Sequence, residues 1–344
     1  MLRSAYRATG ADPPFGDPLP AHPGVAMEGY FWRLSDARRG RVVIALCGVN
    51  RSPSGPWATL GLAAHPGGFL RTAAHHHGWA DPDRLGARAG AAFAGEPDRL
   101  RVDLAPDARL DVRIRDPRPW PRRALGGSSL FQAVPALNQY WHPWLLGGRA
   151  HGTATLGGEQ WDLDGAEVYA EKNWGRGGFP PAWWWGQAHA FDGDPSACVA
   201  FAGGVIEAGG LSTEVTAVVV RAGGVLVRLG DPLVSPVRAE VGDERWSLHG
   251  RSARWEVEVE GEAPIGAAHV LPVPLSRERR NVPGALEHLG GTMRVALRRR
   301  GRTVFEGRSP LAALEHGGIE RARAEAARRG AAAGAADAPP ALAG

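Results

Sequence analysis

The sequence predicts an all-β protein built in two halves. Three observations carry that expectation. Short apolar runs, many alternating with polar residues, recur along most of the chain. Gly-Gly, Arg-Gly and Pro-Asp turns separate them at intervals of about ten residues, the spacing of sandwiches and barrels. Helical periodicity is scarce before residue 319. The expected organisation is an irregular lead-in at 1–25, a β domain at 26–125, a second β domain at 126–319 and a flexible tail at 320–344.

Residues 1–25 are rich in Pro, Gly and Asp. Residues 30–34 and 41–47 read as strands parted by a glycine turn at 36–40. Two more are expected at 57–64 and 68–74. Residues 99–104 and 110–115 alternate apolar and polar side chains around Pro106-Asp-Ala-Arg109, a hairpin with one wet face. Residues 116–127 hold prolines and glycines enough to break any strand, which makes them the candidate joint. A short helix or loop is expected at 128–140. Hairpins then follow at 150–163 and 217–228, strands at 245–249 and 255–260, and a hairpin at 292–305. Glycine supplies the positive φ that such turns need. Residues 319–330 are helix formers, and 331–344 have the Ala/Gly/Pro composition of a disordered tail.

At 344 residues the chain can bury one large core or two. A net charge of +4, with scattered arginines, does not suggest nucleic acid as a partner. No run approaches the roughly 20 apolar residues of a membrane-spanning helix. A cytoplasmic protein is expected. Cys47 and Cys198 each sit in an apolar run and read as buried free thiols. His75-His-His77 invites a metal, but neighbours on an extended segment point to alternate faces, so a solvated loop is the better expectation.

Residues 169–191 are the chemical centre. They hold four of the thirteen tryptophans and Lys172, the sole lysine of the chain. A compact ammonium does work that a guanidinium fork cannot. On a strand, Glu171 and Asn173 share one face and Lys172 takes the other. In 183–191, Trp183, Trp185, Gln187, His189 and Phe191 share a face, while Trp184, Gly186, Ala188 and Ala190 share the opposite one. An aromatic face with a few polar handles suits an apolar ligand pocket, or equally an aromatic core. A carboxyl among tryptophans is pushed up in pKa by desolvation, which suits a general acid. Glu167 and Asp164 are the alternative acids.

The segment Tyr169-Ala-Glu-Lys-Asn-Trp-Gly-Arg-Gly-Gly-Phe-Pro-Pro-Ala-Trp-Trp-Trp-Gly-Gln187 resembles the signature of tocopherol cyclases, with one extra residue in its glycine loop. Glu28-Gly-Tyr-Phe31, Trp141-His-Pro-Trp144 and Ser309-Pro-Leu-Ala-Ala-Leu-Glu-His-Gly-Gly318 resemble other segments of that family in the same order. The resemblance implies two lipocalin-like β-barrel or sandwich halves packed together. It also implies acid-catalysed closure of a prenylated quinol to a chromanol, without a redox cofactor or metal. On that implication Glu171, Lys172 and Asn173 form the catalytic set. Tyr169, Trp161, Trp174, Trp183, Trp185, Gln187 and His189 would contact the substrate. The partner would be a hydrophobic prenylated small molecule, met through transient contact with a membrane surface. A lipid carrier without catalysis, an enzyme hydrating or isomerising an isoprenoid alkene, and a protein with an exposed Trp-rich docking surface are the competing readings.

Overall fold

The structure, a computed structural model, describes residues 2–121, 125–208 and 210–330. The first sheet takes β1 (Met27–Asp36), β2 (Arg41–Ser52), β3 (Gly55–His65), β4 (Phe69–His75), β5 (Trp79–Ala80), β6 (Ala87–Ala89), β7 (Phe93–Gly95), β8 (Arg99–Ala105), β9 (Ala108–Arg115), β10 (Tyr140–Leu145), β11 (Arg149–Leu156), β12 (Glu159–Asp162) and β13 (Glu167–Gly175). The second takes β14 (Trp183–Ala188), β15 (Cys198–Ala208), β16 (Leu211–Ala222), β17 (Val225–Leu229), β18 (Val237–Val241), β19 (Arg245–Arg251), β20 (Trp255–Glu262), β21 (His269–Leu275), β22 (Arg280–Arg299) and β23 (Arg302–Gly317). Every ladder is antiparallel. The all-β expectation holds, as two large curved sheets.

The joint differs from the expectation. The first sheet runs in the order β4-β3-β2-β1-β13-β11-β9-β8-β7-β6-β5, so strands from both sides of residue 125 interleave in it. The chain passes to the second sheet between Gly175 and Trp183. The proline-rich stretch is a connection within the first sheet, because β13 returns to pair with β1. Among the described residues no ladder joins β4 to β5, so the sheet is not closed into a barrel.

The ends also differ. The lead-in begins with α1 (Leu2–Arg7) and buries Asp12 and His22 against the first sheet. At the other end, α2 (Ile319–Arg328) packs Ala322 over Ala268 and Leu286, so residues 320–328, expected to be flexible, form an ordered helix. Residues 331–344 lie outside the described residues.

Nearly all of β1 is buried because each of its faces meets a core. Tyr30, Trp32 and Leu34 point into the core of the first sheet. Phe31 and Arg33 point to the second sheet, where Phe31 packs edge-on to Trp185. Trp184 and Ala188, on the other face of β14, join the second sheet's own core. The Arg33 guanidinium, fully buried, bridges the sheets by donating to Gln187 Oε1 at 2.9 Å and to the Leu311 carbonyl at 2.6 Å. Cys47 and Cys198 are buried free thiols, as expected. Among the described residues no helix is long and apolar enough to cross a membrane.

Candidate active site

The signature segment spans the passage between the sheets. Its first part is β13 in the first sheet, and its last part is β14 in the second. The register fixes which side chains meet. Glu171 lies opposite Phe31 in the β1–β13 ladder, and Trp185 lies opposite Glu315 in the β14–β23 ladder. Opposed residues share a face. The faces so defined turn toward each other and line a partly open cavity of about 190 Å³. A cavity of about 150 Å³ takes one benzene ring, so this one accepts a substituted ring.

Glu171 is the group around which the cavity is built. It is 5% exposed and belongs to the cavity lining. Its Oε2 accepts from Trp141 Nε1 at 2.8 Å, Trp185 Nε1 at 2.8 Å and the Tyr169 hydroxyl at 2.5 Å. No described residue bonds Oε1. Burial pushes the carboxyl up to about 7; the three donors oppose that push and the nearby Glu315 carboxyl adds to it. Glu171 is therefore partly protonated at neutral pH, with one oxygen saturated and the other free.

Asn173, two residues on, shares that face and lines the cavity. Its Oδ1 has no partner. Gly29, opposite Asn173 in the ladder, leaves room for this amide: a Cβ there would lie 2.5 Å from Oδ1. Trp183 and Trp185 line the cavity, and Trp183 donates to Glu315. Tyr169 stands behind Glu171 as its hydrogen-bond donor.

Five expected site residues lie elsewhere. Lys172 faces away from the cavity. Its ammonium, fully buried, pairs with Glu28 at 2.8 Å and donates to the carbonyls of Pro18, Leu19 and Pro20. Burial pushes the Glu28 carboxyl up, but Lys172, His22 and Arg51 outweigh it and hold the group far below the usual carboxylate range. Lys172 thus pins the lead-in; a single ammonium meets three carbonyls and a carboxylate from one point. Trp174 stacks between His22 and Tyr140 and donates to the Gly10 carbonyl, so it serves the same brace. Gln187 receives Arg33 and contacts His189 between the sheets. His189 bonds the Leu146 carbonyl and is held neutral by burial, which lowers it to about 3. Trp161 belongs to the first sheet's core and carries Arg41 over its ring at 4.5 Å.

The alternative acids are excluded by their surroundings. Glu167 is ion-paired with Arg118 and Arg149, and Asp164 is exposed. Of the three adjacent histidines, His75 is buried and His76 and His77 are exposed.

Of the cavity residues that escaped the pattern reading, three bear on the chemistry of the site. Trp141 lies in a segment noted only for its resemblance, and it donates to Glu171. Glu287 and Glu315 also line the cavity. The available signal was the pair of Leu-Glu-His triplets at 286–288 and 314–316, which the β22–β23 register sets face to face.

The fold and the site thus define an all-β protein with a buried, proton-bearing carboxyl in an aromatic cavity between two sheets. The family described as tocopherol cyclase-like matches residues 102–318, well over half of the chain, and the chain belongs to that family. A protein from Oryza sativa subsp. japonica named "Probable tocopherol cyclase, chloroplastic" is 38% identical over 61 residues, 18% of this chain and 13% of that protein. "Tocopherol cyclase, chloroplastic" of Zea mays is 34% identical over 71 residues, 21% of this chain and 15% of that one. The chain therefore spans only a small part of the curated relatives it matches. The crystal structure of CghA with Sch210972 is similar in its lipocalin-like fold, at 13% identity and a TM-score of 0.51, covering 86% of this chain and 89% of that one.

Proposed function

We propose that this chain closes a prenylated hydroquinone into a chromanol, with Glu171 as the proton donor. The observation that carries this reading is the Glu171 carboxyl, buried, partly protonated at neutral pH and free at one oxygen in an apolar cavity. Membership of the tocopherol cyclase-like family supports it.

The chemistry divides among the residues. The Oε1–H bond of Glu171 breaks and a C–H bond forms on the ligand's trisubstituted alkene. The π electrons leave the neighbouring carbon as a tertiary cation. A phenol oxygen of the same ligand supplies the pair that closes the C–O bond, and gives up its proton to a base in the site as that bond forms. Trp141, Trp185 and Tyr169, already aimed at Oε2, stabilise the carboxylate left behind. The indole faces of Trp183 and Trp185 stabilise the cation. Asn173 Oδ1 is an acceptor for a ring hydroxyl. Leu130, in the 3-10 helix Ser129–Ala133, and Leu233 and Val234, after β17, are exposed apolar residues near the cavity-lining Ser128, Phe131 and Gly230, and the Ser129–Asp231 hydrogen bond links the two segments. These exposed side chains support uptake of a prenylated ligand from a lipid surface.

The test is anaerobic incubation of the purified chain with a panel of prenylated hydroquinones, read by mass and retention time. Chromanol is expected from the wild type, and Glu171→Gln should lose at least ~100-fold in rate while keeping its circular dichroism. Ligand quenching of tryptophan fluorescence with no chromanol would overturn the enzyme reading in favour of a carrier.

A further inference from the structure

Two more carboxyl groups line the cavity, and the protonation step uses neither. Glu287 and Glu315 are direct neighbours across the β22–β23 ladder. Glu287 is 1% exposed, and apart from the Glu315 carboxyl beside it no hydrogen-bond donor among the described residues meets its oxygens. A hydroxyl donor in the cavity would satisfy the oxygen that this pair leaves free. Glu315 is half-buried and receives the Trp183 indole N–H.

The surroundings set the charge of this pair. Arg33 of β1 is the cation that acts on Glu287. Glu171 of β13 and Glu315 of β23 repel it. Burial comes first among the causes that push both carboxyls up. Two adjoining carboxyls in a dry site do not both ionise; they titrate as a unit and hold one proton between them.

We infer that the Glu287–Glu315 pair is the proton acceptor for the ligand's phenol. The inference rests on the cyclisation proposed above. Glu287 is the group that touches the hydroxyl, and Glu315 is the positioning residue that shares the charge behind it. As the phenol oxygen bonds to the cation, its O–H breaks and that proton joins Glu287. The proton already on the pair then resides on Glu315. The pair has gained one proton and Glu171 has lost one, so the protein's total is unchanged. Exchange with water after product release resets both.

The experiment runs wild type, Glu171→Gln, Glu287→Gln and Glu315→Gln in D₂O with a panel of prenylated hydroquinones. In Glu287→Gln the alkene is still protonated, but the cation reverts because the phenol keeps its proton. The expected result is recovered ligand carrying deuterium at the alkene, with ring closure reduced at least ~100-fold. Glu171→Gln should show neither deuterium nor ring closure. Equal chromanol rates in Glu287→Gln and wild type would overturn the inference, because Glu171 would then serve as both donor and acceptor. Loss of deuterium uptake together with ring closure in Glu287→Gln would overturn it too. A wild type with no turnover would overturn the cyclisation and this role with it. Infrared spectra in the absence of ligand give a second readout. A protonated-carboxyl band present at pH 7 in Glu171→Gln should vanish when Glu287→Gln and Glu315→Gln are both added. Persistence of that band in the triple variant would contradict a proton held on the pair.

Discussion

Neighbouring residues on one strand meet opposite electrostatic fates. Glu171 faces an apolar cavity and holds its proton, whereas Lys172 faces the lead-in and holds Glu28 ionised. Breaking one member of a buried pair leaves a bare charge. Lys172→Met is therefore expected to lower stability by about 3–5 kcal/mol, with the Lys172→Met/Glu28→Gln double variant recovering much of it, as chemical denaturation would show. Because the Glu28 pKa is depressed on folding, its contribution is present above the ordinary carboxylate value and fades as pH falls toward the folded one. Equal stabilities of the Lys172→Met and double variants would deny the pair. The alternation of Glu171, Lys172 and Asn173 was legible in the sequence, because period two follows from a strand alone. Which of them does chemistry was not. The uniqueness of Lys172 signalled a role, but that role is set by carbonyls about 150 residues away in sequence, which no local pattern reveals.

Strands of this protein work by having two faces, and β14 shows the consequence. Trp183 and Trp185 face the cavity, while Gly186 on the opposite face sits against the Phe201 ring. A Cβ at Gly186 would come within 2.4 Å of that ring. Overpacking of this kind costs about 1–3 kcal/mol. Gly186→Ala should lower the melting temperature, and adding Phe201→Leu should restore part of it; no change in Gly186→Ala would show that the ring yields freely. The small face of this strand was legible in the sequence. The loss of Gln187 and His189 from the pocket was not, because the same face of β14 lies over the cavity at one end and over the Arg33 brace at the other.

At the scale of the whole molecule, the strands, turns and all-β class follow from local pattern, but the joint between halves does not. Prolines at 117–121 mark an interruption, and only long-range pairing of β13 with β1 shows that the first sheet continues past it. The same pairing builds the site. Segments containing Phe31, Trp141, Glu171 and Glu315, scattered over the chain, converge where the two sheets meet. The raised Glu171 pKa is a product of that convergence, since burial between the sheets is its first cause. Folding thus favours the protonated carboxyl. That contribution is fully present below the unfolded value and is lost as pH rises through about 7. The measurement is the infrared titration of the Glu171 carboxyl, taken as the difference between wild type and Glu171→Gln from pH 4 to 9. A protonated-carboxyl band that disappears with a midpoint near 7 is the expected result; a midpoint near the ordinary glutamate value of about 4.3 would mean that Glu171 is ionised at neutral pH and is not the acid of this site.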